Sequence, residues 1–491
     1  MKLFHSCPFK ILAFSVLAAA FSPASYAQSG SGTETLPLER PVEGIEVSGT
    51  LPVCYINTEN GEEITSKENY LKAEMWIDPM NTDFEACGSK ENPLTLQIRG
   101  RGNSSWNSFG KKPYRLKLDS KAEILGMPKS KHFGLISHAP THLYIQNASA
   151  FQTARLMELG WVPRNQPVEV VLNGTNLGVY SFSELVKVDK NRLDMPEEQP
   201  DNNEDEATIG NGWLVEIDNT YDTPQIIVPQ PAGEGYGGFD GKFTIKVPEE
   251  LSAMQEDWIT RQMTAITESL YDYDAENPEW LGMIDLESFA KYYIVQEITC
   301  NYDAFSGSTY IHNADGGKWT FGPIWDSEWS YEPDERKAPF WIERTVHNPG
   351  GGQAFHVWIR QAMHYPQFLD EVERVWKEYY PQKLEPIFGF IDNFYAEVCD
   401  AYEVNAKIWP DYNAVNIDQA YYRVKTHARK YMEWFDSYVN SPAFSGIESV
   451  GETSGTDAEW YTIQGMRLGS EPAEKGIYIR VCGGKATKVV K

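Results

Sequence analysis

Cysteine is scarce in this chain, with six residues among 491, and no two of them stand in a CxxC spacing. Thiolate sites for zinc or iron–sulfur clusters normally show such a spacing, so the sequence argues against one. Five of the six lie beyond the first thirty residues: Cys54, Cys87, Cys300, Cys399 and Cys482. Cys54 and Cys87 share one small region, and they are the only pair for which we predict a disulfide.

Long apolar segments are also missing, apart from one run near the start of the chain. Lys2 and Lys10 precede the apolar run Ile11–Phe21, and Ser25 and Ala27 put small residues at the two positions that a signal peptidase reads. This order is typical of a secretory signal peptide, which we predict over residues 1–27. The run is about half as long as a membrane-spanning helix requires. We therefore predict an exported protein, secreted or at the cell surface, without a transmembrane segment.

Positive charge is in deficit, because 43 Lys and Arg oppose 70 Asp and Glu, for a formal net charge of −27. Nucleic acid is a poor partner for such a chain, since binding it depends on neutralising phosphates with Lys and Arg. An anionic membrane surface is an equally poor partner. Hydrophobic residues make up 41% and aromatic residues 13% of the chain, which is enough for a sizeable buried core.

The apolar pattern predicts both strands and helices, with a β-rich start. We predict a small β-rich N-terminal region over residues 28–93. It consists of a polar linker and three stretches in which apolar and polar residues alternate: Ile45–Val47, Pro52–Ile56 and Leu71–Ile77. We predict the main domain over residues 94–445. A linker and a small β module follow over 446–491.

Within the main domain, two local signals are strong. Val168–Leu172 and Val179–Phe182 are predicted to form a β-hairpin, joined by Asn173-Gly174 or by a slightly longer Asn-Gly-Thr-Asn loop. The region from Trp258 to Tyr438 is mainly helical in pattern, and Asp285 is placed to cap one of its helices.

A second predicted hairpin carries the most informative acidic residues. Tyr310–His312 and Lys318–Phe321 read as its strands, and residues 313–317 read as its turn. Asp303 precedes the first strand and Asp326 follows the second, at equal distances from a midpoint between residues 314 and 315. Such a placement puts the two carboxylates at the open end of the hairpin. Two neighbouring carboxylates repel each other, and a divalent cation such as Mg²⁺ would relieve that repulsion.

Four blocks of sequence resemble the CotH kinase family, the atypical kinases named after spore coat protein H. They are residues 99–117 (RGRGNSSWNSFGKKPYRLK), 144–160, 172–184 (LNGTNLGVYSFSE), and the pair NYD at 301–303 with WD at 325–326. The blocks occur in the family's order over about residues 50–440. The resemblance implies an atypical protein-kinase-like α+β domain that binds ATP with Mg²⁺ or Mn²⁺ and transfers phosphate to a protein.

The same resemblance gives roles to particular residues. Asp303 would be the catalytic-loop aspartate and Asp326 the metal-binding aspartate, with Trp325 beside it. Many members have a second aspartate where this chain has Glu328, so the third predicted metal ligand is a longer carboxylate. Active members tend to carry a lysine on the strand that here contains Glu216.

Other charged residues have two open interpretations. Lys246 would replace the lysine missing from that strand, or it is a solvated strand lysine. Lys112 and Arg115 would contact phosphate, or they form part of a surface patch. Glu184 would orient a lysine, as a helix glutamate does in kinases, or it is an edge-strand acid.

Two functions therefore remain open from the sequence. The first is a secreted, metal- and ATP-dependent kinase acting on a protein. The second is a catalytically inactive relative that binds a surface protein or a glycan, and Glu216 and Glu328 favour it. The C-terminal strings YTIQGMRL and KGIYI resemble the sorting tails of exported Bacteroidetes proteins, which implies a secreted member of that type.

Overall fold

The computed structural model describes residues 39–139, 143–218, 223–229, 241–272, 275–301, 304–305, 307–331, 356–410, 416–441 and 444. Near the C-terminus it describes 459–462, 467–468, 472, 477–482 and 485–490. The predicted signal peptide lies outside these residues and stays a prediction. The chain is 35% helical and 28% strand, which confirms the α+β class.

The described strands are β1 Val53–Thr58, β2 Leu71–Asp78, β3 Leu94–Gly100, β4 Tyr114–Ile124, β5 Met127–Ile136, β6 Asn165–Leu172, β7 Thr175–Glu184, β8 Gly212–Ile217, β9 Gln225–Val228, β10 Gly241–Val247, β11 Thr309–Ala314, β12 Thr320–Phe321, β13 Glu459–Thr462, β14 Arg467–Leu468, β15 Ile477–Cys482 and β16 Lys485–Val490. The described helices are α1 Ser104–Asn107, α2 Ile145–Leu156, α3 Ala253–Tyr271, α4 Trp280–Met283, α5 Leu286–Thr299, α6 His356–Ala362, α7 Pro366–Tyr379, α8 Pro386–Ile408 and α9 Ile417–Val439.

The chain divides into two compact units. The first, called the barrel unit below, takes in the described residues up to Ser149, those of Pro163–Val186 and those of Phe388–Val424. The second unit takes in the described residues of Ala150–Val162, of Lys187–Ile387 and from Lys425 onward.

Seven strands close the barrel in the order β1-β2-β3-β4-β5-β7-β6, with β6 parallel to β1. Alternate side chains point inward, and residues such as Ile98, Leu116 and Phe133 are fully buried there. The predicted boundary between residues 93 and 94 separates strands of this one barrel, because β2 pairs with β3 and β1 pairs with β6. The other predicted boundaries stay predictions.

The hairpin at Asn173-Gly174 is present as β6 and β7, with Leu172 opposite Thr175. Asn173 and Gly174 have φ angles of 49° and 84°, as a two-residue turn of the primed type requires. The predicted strand at Ile45–Val47 is wrong. The next N–H, that of Ser48, donates to the carboxylate of Glu169 at 2.9 and 3.0 Å instead of to a neighbouring strand.

The predicted Cys54–Cys87 disulfide is also wrong, because both thiols are free. Cys54 of β1 pairs with Ile77 of β2, and Cys87 bridges to Ile77 as well. Strand β2 therefore lies between the two cysteines. Two strand spacings amount to roughly 9–10 Å, whereas a disulfide joins Cα atoms about 4.4–6.8 Å apart.

The second unit contains a five-stranded sheet in the order β12-β11-β8-β10-β9. Helix α5 begins as predicted, with the carboxylate of Asp285 accepting the N–H of Ser288 at 2.7 Å. It packs on the sheet through Phe289, whose ring stacks on Phe321 with centroids 4.1 Å apart. Phe368 of α7 lies against the same ring at 4.7 Å. Helix α5 thereby fixes the hairpin that carries the predicted acidic residues.

The last strands form a four-stranded antiparallel sheet in the order β14-β13-β15-β16. Its role as a sorting module stays a prediction. Within the described ranges, no helix combines the length and the apolar composition that a bilayer span requires.

Candidate functional site

Strands β11 and β12 form the predicted acidic hairpin, with Ile311 opposite Phe321 and His312 opposite Thr320. The N–H of Gly322 donates to the carbonyl of Tyr310 at 2.8 Å, which continues the same register. This register is centred on Gly316, not between residues 314 and 315 as we expected. The residues that face each other across the hairpin therefore differ from the predicted pairs.

The shift changes the argument for two adjacent carboxylates. In the observed register, Asp326 and residue 306 are equally far from the centre. Asp303 lies three residues further from that centre than residue 306 does. Three extended residues span roughly 10 Å, so equal spacing alone does not bring Asp303 opposite Asp326. Asp303 lies outside the described residues, and its pairing with Asp326 stays a prediction.

Asp326 occupies an uncommon backbone conformation, with a φ of 54°. Of the thirteen described non-glycine residues with positive φ, six lie between residues 300 and 331: Cys300, Phe305, Ser308, Asp315, Asp326 and Tyr331. Such conformations cost on the order of 1–3 kcal/mol each and cluster at functional sites. The segments flanking the hairpin are the most strained part of the described chain by this measure.

Packing holds the segment after β12 in place. The ring of Trp325 lies 6.3 Å from that of Phe151. Glu328 is only 7% exposed. The N–H of Tyr331 donates to the carbonyl of Thr299 at 2.6 Å, and its own carbonyl contacts Nδ1 of His427 at 3.0 Å. The acidic segment is thus anchored to helices at its far end, which limits how far Asp326 and Glu328 can move.

Lys246 is an ion-pair partner, not a freely solvated lysine. Its Nζ lies 2.8 Å from the carboxylate of Glu216 on the neighbouring strand. A shift in register between Ile245 and Val247 places Lys246 at an irregularity of β10. Burial raises the pKa of Glu216, and the charge of Lys246 opposes that rise. Glu216, which lies on the strand where active family members carry a lysine, therefore has its charge neutralised locally.

Arg115 on β4 stands directly opposite Arg99 on β3. Arg99 lies over the ring of Tyr70, 5.0 Å from its centroid. Among the residues that the structure describes, neither arginine forms an ion pair with a carboxylate, and the buried Nε of each has no hydrogen-bond partner. Like charges directly opposite each other are destabilising in a sheet. An anion bound between them would remove that cost.

Two neighbouring lysines are held differently. The Nζ of Lys112 donates to the carbonyl of Trp106 and lies 5.4 Å from the centroid of its ring. Lys111 is 1% exposed, and its Nζ donates to the carbonyl of Val179 at 2.6 Å and to Oδ1 of Asn405 at 2.9 Å. Burial lowers the pKa of Lys111 to about 7. Lys111 is therefore part of the barrel's packing.

Glu184 is fully buried and partners an arginine, not a lysine. It accepts the backbone N–H of Arg164 at 2.9 Å and lies 3.1 Å from the guanidinium of the same residue. Both residues belong to the barrel unit, as do Lys112 and Arg115. Lys246, Trp325, Asp326 and Glu328 belong to the second unit.

Sequence reasoning missed Arg99 as a candidate. The spacing of residues 99 and 115 gave no indication that they would face each other, since that depends on the register between β3 and β4. The alternation of basic and apolar residues in both strands was the available signal. Such alternation gives no register between the two strands.

No group of three or more His, Cys, Asp or Glu residues that could hold a metal ion occurs in the described part of the chain. Asp326 and Glu328 offer carboxylate oxygens, which suit Mg²⁺ or Mn²⁺ better than softer metals. The chemistry of these side chains suits a metal of that class, and their binding of one stays a prediction.

Comparison with known families decides the relationship. A family model described as CotH kinase protein matches residues 98–435, which is more than half of the chain. The chain belongs to the CotH kinase family. No curated protein matches it significantly. The CotH match covers the barrel strands from Ile98 onward, helix α5 and the acidic hairpin, and it includes every predicted site residue.

Proposed function

We propose that this CotH family member is an atypical, secreted protein kinase that uses ATP and a divalent metal to phosphorylate a protein. The observation that carries the proposal is the family match, since residues 98–435 contain Asp303, Asp326 and Glu328 together with the predicted phosphate contacts. The finer kinase-like architecture of the main domain and its export through a signal peptide are parts of the same proposal.

The proposal gives the carboxylates distinct roles. A bound Mg²⁺ or Mn²⁺ would neutralise charge on the phosphates of ATP, which is the chief requirement of phosphoryl transfer. Asp326 and Glu328 would hold that ion through their oxygens. Asp303 would accept the proton of the substrate hydroxyl, as the catalytic-loop aspartate does in kinases. The strained backbone at Asp326 supports a functional role, because the fold holds this carboxylate in one position at an energetic cost.

Two cations in the barrel unit suit a phosphate group. Arg99 and Arg115 form a facing pair that lacks a carboxylate partner among the described residues. Guanidinium groups bind phosphate oxygens through paired, charge-assisted hydrogen bonds. We propose that this pair binds a phosphate group.

Calorimetry of the full chain with ATP and either Mg²⁺ or Mn²⁺ tests the proposal. We expect binding by the wild type and at least a hundredfold weaker binding by Asp326→Asn, because an amide supplies no negative charge to the metal. Asp315→Asn is the matched control, since Asp315 lies in the turn of the same hairpin, also with positive φ, and is exposed. Asparagine tolerates that conformation at both positions.

Absence of heat on adding nucleotide to the wild type would reject the kinase proposal and leave the inactive binding protein as the better description. Equal affinities of wild type and Asp326→Asn would keep nucleotide binding but remove Asp326 from the site.

A further inference from the structure

The outward side of the barrel carries four cations in two rows. Arg99 of β3 stands opposite Arg115 of β4, and two residues along the same strands Gln97 stands opposite Lys117. Lys72 of β2 pairs with Gln97 from the other side and completes the second row. The name basic face is used below for Lys72, Arg99, Arg115 and Lys117.

Alternation within the strands directs these four side chains away from the core. The core residues Ile98, Leu116 and Leu118 alternate with them in β3 and β4 and are at most 2% exposed. Buried Ala73 follows Lys72 in β2 in the same way. Because successive residues of a strand point to opposite faces, the basic face points outward. Its two lysines are exposed and its two arginines are partly exposed.

The charge of the basic face is uncompensated. Among the described residues, none of the four cations forms an ion pair with a carboxylate. Only the Nε atoms of Arg99 and Arg115 are buried without a hydrogen-bond partner, so their Nη atoms, which also lack partners in the described part of the chain, are open to solvent. The ring of Tyr70 lies 5.0 Å from the guanidinium of Arg99 and supports it from one side. The atoms that bind an anion are therefore accessible.

The basic face is short and has acidic borders. Its two rows are two residues apart along the strands, roughly 6.6 Å, and Lys72 is two strand spacings from Lys117, roughly 9–10 Å. The next alternate positions on β2 and β4 are Glu74 and Asp119, which are both exposed. A long polyanion would run from the cations onto these acids, over a chain with a net charge of −27. A short anionic segment avoids that repulsion.

An extended peptide has the spacing of the basic face. Alternate side chains of an extended chain lie roughly 6.6 Å apart on one side, which is the distance between the arginine row and the lysine row. A phosphorylated side chain carries a charge of about −1.5 to −2 and three strong acceptor oxygens, which suit two guanidiniums that face each other. A carboxylate two residues away from that phosphate is then level with the lysine row.

We propose that the basic face binds a short acidic segment of a phosphorylated protein. The phosphate group lies at Arg99 and Arg115, and the carboxylates lie near Lys72 and Lys117. This inference rests on the phosphate contact proposed above for the arginine pair, and it names the molecule that carries the phosphate. A protein kinase makes phosphorylated proteins, so its own product or a substrate phosphorylated beforehand has the chemistry that this face recognises.

Fluorescence anisotropy of the full chain, in EDTA and without nucleotide, tests the proposal. The probes are a labelled peptide with the core sequence Glu-Thr-phosphoserine-Thr-Glu and the same peptide with serine. We expect the phosphopeptide to bind at least tenfold more tightly. Arg99→Gln and Arg115→Gln should each weaken its binding about tenfold, and Lys117→Gln about threefold. Lys90→Gln is the matched control, because Lys90 is exposed in the connection between β2 and β3 and has no ion pair among the described residues.

The result is independent of the kinase proposal, because EDTA and the absence of nucleotide leave metal and ATP out of the measurement. Circular dichroism and thermal unfolding show whether each variant is folded. A single-stranded DNA hexamer and hexagalacturonate are measured alongside as polyanions of other classes. The proposal is overturned if neither peptide binds at about 1 mM, if the serine peptide binds as tightly as the phosphopeptide, if folded Arg115→Gln binds like the wild type, or if either of the other polyanions binds more tightly than the phosphopeptide.

Discussion

In the barrel unit, Lys111 is buried against carbonyl oxygens and the ring of Tyr180, whereas in the second unit Lys246 is held by the carboxylate of Glu216. The barrel cations Arg99 and Arg115 likewise lack carboxylate partners among the described residues, while Lys291 in the second unit pairs with Glu287. Arg99 and Arg115 therefore keep their charge available to an incoming anion, whereas burial lowers the pKa of Lys111 to about 7 and removes its charge at higher pH. A cation paired with a carboxylate has its charge compensated and is not available to an anion.

This difference explains why net charge alone misleads. The chain carries a formal charge of −27, yet the barrel unit has cations whose charge is not compensated nearby. The acidic excess therefore argues against a nucleic-acid partner, but it does not argue against a single phosphate group bound to the barrel.

The largest expected effect concerns Lys111, whose pKa in the folded protein is lowered to about 7 from 10.5. Between these values the unfolded chain binds a proton that the folded chain does not, so the free energy of unfolding rises with pH. The destabilisation is full below pH 7 and fades toward pH 10.5. We expect the wild type to gain about 1.4 kcal/mol per pH unit relative to Lys111→Met between pH 7 and 9.

Urea unfolding at pH 7, 8 and 9 measures this difference. Lys117→Met is the control, since Lys117 is exposed on β4, and it should follow the wild-type pH dependence. If the free energies of unfolding of the wild type and Lys111→Met change with pH in the same way, Lys111 stays charged in the barrel. The contrast between the units would then lose its clearest case.

A smaller effect is expected at the Lys246–Glu216 pair. Lys246→Met leaves the buried carboxylate of Glu216 without its cation and should cost about 2–3 kcal/mol at pH 8, less than a fully buried pair because Lys246 is partly exposed. Loss of the cation raises the pKa of Glu216 further, so protonation at pH 5 should recover part of the loss. The double variant Lys246→Met/Glu216→Gln should be closer to the wild type than Lys246→Met alone. Chemical denaturation at both pH values checks this, and a loss independent of pH would contradict the pairing.

The smallest effect in stability, with the opposite sign, is expected at the arginine pair. Arg115→Met removes one of two like charges that face each other, which should stabilise the barrel by about 0.2–1 kcal/mol in the absence of ligand. The same change should weaken binding of inorganic phosphate about tenfold, because a phosphate contact is lost. Thermal unfolding and calorimetry measure the two effects. Lower stability together with unchanged phosphate affinity would show that the pair serves packing, not anion binding.

Local signals in the sequence predicted local structure well. Asn173-Gly174 predicted the β6–β7 hairpin, and Asp285 predicted the start of α5, because each acts on residues within a few positions. Strand β5 was missed, since its inward residues do not alternate strictly and its pairing with β4 is irregular. Closure of the barrel depends on β1 pairing with β6, more than a hundred residues later, and no local pattern reports such a contact.

The candidate site shows the same limit. The strands that carry Glu216 and Lys246 were predicted, but their ion pair depends on the register shift in β10. The acidic hairpin was predicted, but its centre was misplaced, because the turn chemistry around residues 313–317 allows more than one register. Arg99 and Arg115 became a pair only through the register of β3 with β4.

Transfer of labelled γ-phosphate from ATP, in the presence of Mg²⁺ or Mn²⁺, tests the central claim most directly. The wild-type chain should label itself or an added acceptor protein such as casein, Asp315→Asn should retain that activity, and Asp326→Asn should lose at least 99% of it. Equal labelling by the wild type and Asp326→Asn, or no labelling by the wild type with either metal, would contradict the account.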